Sequence, residues 1–487
     1  MKMQCIFLAT ILVSLSCAAQ KRVVLRSPGV PTELPNEPIP PLKEETPDFI
    51  RLDAKEDAQV LAAQSKAEND RLRVRFITCD DQFNADGVDA VKPCKDAVTK
   101  ALNSISSEVE LYEPKWIGPA GTIGMIDIKE IGVTPAEWKI IEDNDLFKFT
   151  SETVRGRTLQ FLTGTKRPSI NGHNFVETVL VKAYYGVTGI AGNFADFQKQ
   201  IGVNVQKDFD ERDSDLILMG MNESLITSNR QHRMIYRVQG TFGPLWCTND
   251  TNDVNVAPVN IDGQLINQKN LTEAPFPVFA RSKRVFLDDA GECLFIKPNG
   301  MIGAALFDAK FIRQDFAPTN IVQDTRSAGR GLSGTIQNAR SCFGCHATGF
   351  IPIRDTIGNQ IARNTSYNAA DKELGRLFYK SAATGDAFFA RDNSKYAKAL
   401  DELNIDNQTE DPINNLTDKL RLEQNLKQVS GLLGITEDEL TTGLNSSTSA
   451  SAVLGVLLQP SGKVNLQQLI DGLPILIAEL NLFQDDI

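Results

Sequence analysis

The ten residues SCFGCHATGF, at positions 341–350, constrain this 487-residue chain more than any other stretch. They place Cys342, Cys345 and His346 in the order CxxCH, so that one helical turn would carry both sulfurs and the imidazole. Covalent attachment of haem c needs this arrangement, because two thiols add to the porphyrin vinyl groups while the imidazole ligates the iron. The motif predicts one covalent haem c, bound through Cys342 and Cys345, with His346 as the metal ligand.

Two other uses of a CxxC pair remain open at this point. A structural zinc ion needs four ligands, usually in two close pairs, and the sequence has no second CxxC or HxxxH pair. His173 and His232 lie far upstream of the motif and are isolated from one another. A thioredoxin-like dithiol would sit in a βαβ context, whereas a glycine-rich stretch, SAGRGLSG, precedes this motif. The spacing therefore favours haem over zinc or a redox dithiol.

The second axial ligand of such a haem is not evident from the sequence. No Met or His follows His346, so a six-coordinate iron would need an upstream residue: His173, His232, Met125, Met219, Met221, Met234 or Met301. Met301 follows a predicted turn, and we take it as the candidate distal ligand. Without a protein ligand, the iron would be five-coordinate or would bind water, and could then reduce peroxide or bind a small ligand.

Residues around the motif are compatible with a haem pocket. The apolar side chains that could cover the porphyrin are Phe343, Phe350, Ile351 and Ile353. The cations that could pair with its propionates are Arg326, Arg330, Arg340 and Arg354. Each set has an ordinary alternative, since apolar residues usually form core and exposed arginines usually have no specific partner.

The N-terminus has the features of an export signal. Lys2 precedes an apolar run of about ten residues, Ile6 to Leu15, which is too short to span a bilayer. We expect residues 1–16 to be a signal peptide and Cys17 to carry a lipid, followed by a proline-rich tether at 17–52. The alternative is an ordinary signal peptide cleaved after Ala18 or Ala19. Either interpretation places the mature chain in the periplasm or at the outer membrane.

The remaining cysteines and the charge support an exported protein. Cys79, Cys94, Cys247 and Cys293 form an even set, which we expect to pair as Cys79 with Cys94 and Cys247 with Cys293, although four cysteines allow three connectivities. The formal net charge is −11 and the sequence has no basic cluster, so nucleic acid is not an expected partner.

The hydrophobic patterns predict an α+β fold that is predominantly α. We expect a mixed N-terminal region at 53–285 and a haem-bearing, mostly helical region at 286–487. The second region begins with a β-hairpin, because two apolar runs flank Pro298-Asn299-Gly300. Capping-box patterns, Thr134 with Glu137 and Thr436 with Glu439, mark the starts of two helices.

With these motifs in view, the chain resembles a group of bacterial exported proteins that carry a single c-type cytochrome domain. The similarity is sharpest in ECLFIKPNGMIGAALFDAKFIRQDFAPTNIVQD and then SCFGCHATG. It implies that Cys342 and Cys345 hold haem c by thioethers and that His346 is the proximal ligand. This chain differs from the group's pattern in its long segment between Asp324 and Ser341 and in its additional cysteines.

The function predicted from the sequence is one-electron transfer by a single-haem c-type cytochrome, anchored to a membrane by the lipid on Cys17. The redox partner is not indicated. Two alternatives remain: an open-coordination haem protein that reduces peroxide or senses a ligand, and a non-haem surface lipoprotein whose CxxC has a structural role.

Overall fold

The computed structural model describes residues 29–31, 47–222, 231–406 and 410–482. The predicted signal peptide, the lipidated Cys17 and most of the predicted tether lie outside these residues. The end of the tether is an exception. The side chain of Ile50 is fully buried in the main core. Its backbone N–H donates to Asn84 Oδ1 at 2.7 Å. The fold therefore begins before residue 53, slightly earlier than we predicted.

The described residues form a predominantly helical α+β fold, as the sequence predicted. The helices are α1 Leu52–Gln64, α2 Glu68–Arg71, α3 Asp80–Asp86, α4 Val91–Ile105, α5 Pro135–Asn144, α6 Val154–Thr163, α7 Gly172–Glu177, α8 Tyr184–Thr188, α9 Phe194–Ile201, α10 Val205–Asp210, α11 Thr325–Gly329, α12 Arg340–Cys345, α13 Gly358–Arg363, α14 Ala369–Phe378, α15 Ala382–Glu402, α16 Pro412–Arg421, α17 Leu426–Leu433, α18 Glu437–Ser446, α19 Thr448–Leu454 and α20 Leu466–Glu479. The strands are β1 Val74–Thr78, β2 Lys115–Ile117, β3 Ile123–Asp127, β4 Ser169–Asn171, β5 Ile217–Met221, β6 Arg233–Gln239, β7 Pro244–Asp250, β8 Val259–Ile261, β9 Gln264–Ile266, β10 Ala290–Ile296, β11 Ile302–Asp308, β12 Arg313–Gln314, β13 Gln424–Asn425 and β14 Lys463–Val464.

The first sheet has four strands in the order β2-β3-β1-β4, with β1 and β4 parallel and the other pairs antiparallel. Cys79, directly after β1, is disulfide bonded to Cys94 in α4, one of the two pairings that we expected. Helix α5 begins with the predicted capping box, in which Thr134 and Glu137 bond each other's backbone N–H. This unit forms the N-terminal part of the fold.

The second sheet has six strands in the order β12-β11-β10-β7-β6-β5, all antiparallel. The predicted hairpin is present as β10 and β11, joined by Pro298-Asn299-Gly300. Cys293 in β10 lies directly opposite Cys247 in β7, and the two form the other expected disulfide. The sheet combines strands from both sides of residue 285, so our predicted domain boundary runs through a continuous sheet.

The segment after the motif is mostly helical, as predicted, and the short β13–β14 pair provides the strands in its described residues. Its last helices, α17–α20, enclose an apolar core of their own, to which Phe147 from the N-terminal region also contributes. The capping box of Thr436 and Glu439 begins α18 as the sequence predicted. In the described part of the chain, no helix combines the length and the apolar character that crossing a membrane requires.

Candidate cofactor site

The CxxC pair lies in the short helix α12, which begins after an unusual turn. Ala339, the residue before the helix, has φ +61° and ψ −62°, and Arg340 N–H donates to Asn338 O at 2.8 Å across it. This is a γ-turn with positive φ, a conformation that is strained for any residue with a side chain. The turn is fully buried, so surrounding packing must hold it in place. It fixes the direction in which α12 leaves the preceding loop.

The two motif cysteines are free thiols in very different surroundings. Cys342 is 2% exposed, whereas Cys345, one turn further along α12, is exposed at the surface. Burial and the nearby carboxylate of Glu292 raise the pKa of Cys342 well above its ordinary value. Burial and the same carboxylate raise the pKa of Cys345 to about 11. Reactive dithiols have lowered thiol pKa values, so these surroundings do not favour a thioredoxin-like role.

His346 follows the helix and is oriented by a local hydrogen bond. Its Nδ1 lies 2.9 Å from the carbonyl oxygen of Gly349, which can only accept, so Nδ1 carries the proton. The lone pair of Nε2 is then available to a metal, and the backbone carbonyl is a usual partner for the other nitrogen of a ligating histidine. Burial lowers the pKa of His346, which keeps the ring in the neutral form that ligation requires.

Helix α12 is anchored to α16 by buried polar contacts. The Arg340 guanidinium is 1% exposed, forms an ion pair with Asp418 and donates to Thr417 Oγ1 at 3.0 Å. Beside it, Arg421 and Glu177 form a second pair, with Arg421 Nε 3.0 Å from Glu177 Oε2. These contacts use Arg340 to hold the helix, so it is not the propionate partner that the sequence suggested.

Of the other three candidate arginines, Arg326 lies closest to the motif. A Cβ on Gly344, the residue before Cys345, would overlap the guanidinium of Arg326 and the amide of Asn414. Arg326 Nη2 donates to Asn414 Oδ1 at 2.6 Å, but its buried Nε has no hydrogen-bond partner among the described residues. Arg326 Nη2 also lies 3.6 Å from Asp324 Oδ2, whereas Arg330 is paired with Glu410 and Asp418, and Arg354 is exposed. Arg326 is therefore the cation best placed to meet an anionic group at the motif.

The apolar residues near the motif divide into core and surface. Phe343 is 1% exposed and meets Tyr184 edge to face, and Phe350 packs near Trp246. Ile353 is half-buried, while Ile351 is 45% exposed. The two phenylalanines thus belong to the main core, and Ile351 lies on the surface beside the motif.

Met301, the predicted distal ligand, lies at the tip of the β10–β11 hairpin. It is fully buried there, and neighbouring Asn299 donates to the carbonyl oxygen of Asn103 in α4 at 2.9 Å. Glu292, which contacts Cys342, lies near the opposite end of the same hairpin, about 15 Å away at the rise of an extended strand. This position does not favour Met301 as a ligand to an iron bound by His346, and the hypothesis remains untested.

The two upstream histidines each have a partner at Nδ1. His173 Nδ1 lies 2.5 Å from Asp81 Oδ2, and its buried Nε2 has no hydrogen-bond partner among the described residues. His232 Nδ1 accepts the backbone N–H of Leu271 at 3.0 Å, so the proton of the neutral ring lies on Nε2 and no lone pair is left for a metal. His232 therefore has no free lone pair for an iron, whereas Nε2 of His173 is not committed to any described residue.

The methionines other than Met301 are mostly core residues. Met125, Met219 and Met234 are at most 5% exposed. Met221 is half-buried at the end of β5, and its neighbour Gly220 is hydrogen bonded to Asp355 and Thr356, shortly after the motif. Among the described methionines, Met221 is the one whose side chain is not already part of the packed core.

Sequence reasoning found the motif and included Arg326 among four candidate cations, but it missed Glu292 and the role of Gly344. Both act through contacts between distant positions, and a lone Glu or Gly has no distinctive pattern. The apolar cavity beside Glu292, about 90 Å³ in volume, was equally hidden. No three His, Cys, Asp or Glu side chains of the described chain are grouped as a metal ion would require, so no multi-residue zinc site is present in that part of it.

The donor set at the motif fits haem c. Two unlinked thiols lie one turn apart, the histidine after them presents Nε2, and the buried Nε of Arg326 lacks a partner. Comparison with known proteins adds nothing to this, because no family model, curated protein or solved structure matches the chain.

Proposed function

We propose that this protein is an exported single-haem c-type cytochrome that transfers one electron at a time. Its haem would be held by thioether bonds to Cys342 and Cys345, with His346 as the proximal iron ligand. The observation that carries the proposal is the combination of two free thiols and an imidazole whose Nδ1 is committed to Gly349 O. The bound haem would supply the one-electron redox couple.

The chemistry of attachment is consistent with the state of these cysteines. Each thiol would add across one vinyl group, forming a C–S bond while its hydrogen goes to the neighbouring vinyl carbon, so no oxidant is consumed. The step requires reduced sulfurs, and Cys342 and Cys345 are unlinked although the other four cysteines of the described chain form disulfides. Disulfides are typical of an oxidising compartment, which supports export.

The surroundings of His346 suit a carrier. The hydrogen bond to Gly349 O fixes the ring orientation and increases the basicity of Nε2. The ion pair between Arg340 and Asp418 holds α12 on α16, so the two sulfurs keep a fixed direction. Anchoring by a lipid on Cys17 is part of the same proposal, as is a redox partner protein whose identity the sequence does not indicate.

The proposal is tested by producing the full chain in bacteria that express a cytochrome c maturation system. We expect a pyridine haemochrome spectrum of the c type and an intact mass equal to the polypeptide plus one haem. The control is the double variant Cys342→Ser/Cys345→Ser, which should lose covalent haem while keeping both disulfides. Colourless wild-type protein with the mass of the bare chain would refute the proposal.

An open-coordination haem is the second candidate function, and the state of His232 favours it. His232 Nδ1 accepts the backbone N–H of Leu271, so a second protein ligand would have to come from another residue, such as Met221. A high-spin ferric spectrum of the matured protein would support a peroxidase-like or sensing role. A low-spin spectrum that becomes high-spin in Met221→Leu would assign Met221 as the distal ligand and support electron transfer.

A further inference from the structure

An apolar cavity of about 90 Å³ lies beside the motif, against one end of the six-stranded sheet. Six apolar residues line it and form a small cluster separate from the main core: Ala290, Leu306, Ala317, Ile321, Val322 and Ile336. Two of these come from the hairpin strands β10 and β11, and the other four come from the segment that precedes α12. The cavity is therefore enclosed between the hairpin and that segment.

The segment is a closed loop, residues 316–337, which we call the cover loop. Its ends meet at a bridge between Phe316 and Gln337, and Ala317 N–H donates to Ile336 O at 3.0 Å. Among the described residues, the backbone–backbone hydrogen bonds of the cover loop run within it, apart from the one that Ser341 N–H donates to Gln337 O. The cover loop is also held to α16 by side chains, Arg326 to Asn414 and Arg330 to Asp418, so an outward shift would break these contacts but no sheet.

The cavity adjoins the motif through two charged residues on its wall. Glu292 lines the cavity and accepts a hydrogen bond from the thiol of Cys342. Arg233 also lines it and is near enough to influence the charge of Cys345 and of His346. Its guanidinium is held by Asp250 at 2.6 and 2.9 Å, so it does not place an unpaired cation in the apolar space. Glu292 thus connects the wall of the cavity to Cys342, one of the side chains that would bear the cofactor.

The size of the cavity shows what would have to change for a porphyrin to enter. Sites that enclose drug-sized ligands have volumes of roughly 300–1,000 Å³. A flat macrocycle could occupy this space only if the cover loop moved away from Ala290 and Leu306. The apolar contacts that Ala290 and Leu306 make with the cover loop would then be replaced by contacts with the porphyrin faces.

We propose that the cleft between the cover loop and the β10–β11 strands is the haem crevice, and that the cover loop is displaced outward when haem is attached. The inference rests on the proposed haem function and adds the surface on which the macrocycle lies. Ala290 and Ala317 would face the porphyrin from opposite sides, and small side chains at these positions leave room for it.

The test fills the cavity with side chains. The variants are Ala290→Leu and Ala317→Leu, and the matched control is Ala85→Leu, a similarly buried alanine that lines a separate cavity of about 30 Å³ between α3 and the helices α16 and α17. All are produced with the maturation system, and haem per chain and the Soret spectrum are measured. We expect both filling variants to lose haem or to shift the Soret band, whereas Ala85→Leu matches the wild type.

A second measurement protects the test against variants that fail to fold. Hydrogen exchange is compared between matured wild-type protein and Cys342→Ser/Cys345→Ser, and we expect residues 316–337 to show the largest change. The proposed crevice would be refuted if the wild type carries haem, both filling variants load haem normally, and hydrogen exchange in the cover loop does not change. The proposed haem function would remain intact in that case. Wild-type protein without haem would instead refute the function itself.

Discussion

The two ends of the β10–β11 hairpin belong to the same pair of apolar strands but lie in very different surroundings. At the tip, Lys297 and Asn299 donate to backbone carbonyl oxygens of α4, and Met301 is fully buried. At the base, Ala290 lines a cavity and Glu292 contacts a motif thiol. The difference shows that packing by distant elements, and not the hairpin itself, decides which end borders a cavity.

The largest expected effect is a change in the haem absorption spectrum, which should follow substitution at the motif but not at the tip of the hairpin. His346→Ala should leave the haem covalently attached through Cys342 and Cys345 but remove its proximal ligand, which changes the ferric and ferrous spectra completely. Met301→Leu conserves volume at the tip and should leave both spectra unchanged. Absorption spectra of matured proteins provide the measurement. If Met301→Leu altered the ferric spectrum instead, the tip of the hairpin would reach the iron. The difference drawn between the tip and the base would then be wrong.

Next in size is the structural contribution of the tip. Met301→Ala removes a fully buried side chain and should lower the free energy of unfolding by about 2–5 kcal/mol. Urea denaturation followed by circular dichroism measures this. Met301→Leu is the control, with an expected cost below about 1.5 kcal/mol. Equal stability of the Ala variant and the wild type would mean that the tip is loosely packed.

The buried Lys297, at the tip of the hairpin, should make the stability of the protein depend on pH. Burial lowers the pKa of Lys297 to about 7, and the described residues include no carboxylate in an ion pair with it. Because the unfolded pKa is near 10.4, the unfolded chain binds the proton more tightly between pH 7 and 10. Stability should therefore rise with pH in this window, by up to about 1.4 kcal/mol per pH unit, while below pH 7 the destabilisation is constant.

Lys297→Met should remove this contribution. Denaturant titrations of both proteins at pH 7, 8 and 9 give the difference in free energy of unfolding, which should shrink as pH rises. A difference that does not depend on pH would show that Lys297 stays protonated in the folded protein.

The smallest expected effect concerns the base of the hairpin and its neighbouring cation. Arg326→Gln removes a positive charge beside the motif, which should stabilise the ferric state and lower the midpoint potential. For a half-exposed charge, a change of about 0.5–1 kcal/mol corresponds to roughly 20–40 mV for one electron. Arg330→Gln is the matched control, since it makes the same charge change on the same loop at an arginine paired with Glu410 and Asp418. Equal shifts in both variants would assign the effect to net charge alone.

Local features of the fold were predictable from the sequence because their causes are local. The capping box at Thr134 depends on a residue three positions away, and the hairpin depends on Pro298-Asn299-Gly300 between two apolar runs. Both disulfides were also expected, since export and an even cysteine count leave few pairings. The motif residues were identified for a similar reason, as their chemistry depends on adjacent positions.

The remaining features depend on contacts between distant positions. Asn299 meets Asn103, 196 positions earlier, so a sequence that places Met301 after a turn does not show that α4 covers this turn. The overlap of Arg326 with any side chain at position 344 arises only when the cover loop folds against α12. The sheet that crosses residue 285 could not be predicted for the same reason, because the sequence of one strand does not specify which strands will be its neighbours.

The buried ionic contacts behind α12 have a consequence for how this sequence can diverge. Arg340 pairs with Asp418, and Arg421 pairs with Glu177, in surroundings where a charge that loses its partner is strongly destabilising. A single substitution at one of these sites would be selected against, while a coordinated replacement of both members by apolar residues would be tolerated. Related chains should therefore vary at these positions in pairs, and such covariation would connect the helix of the motif to α7 and α16 across more than two hundred residues of sequence.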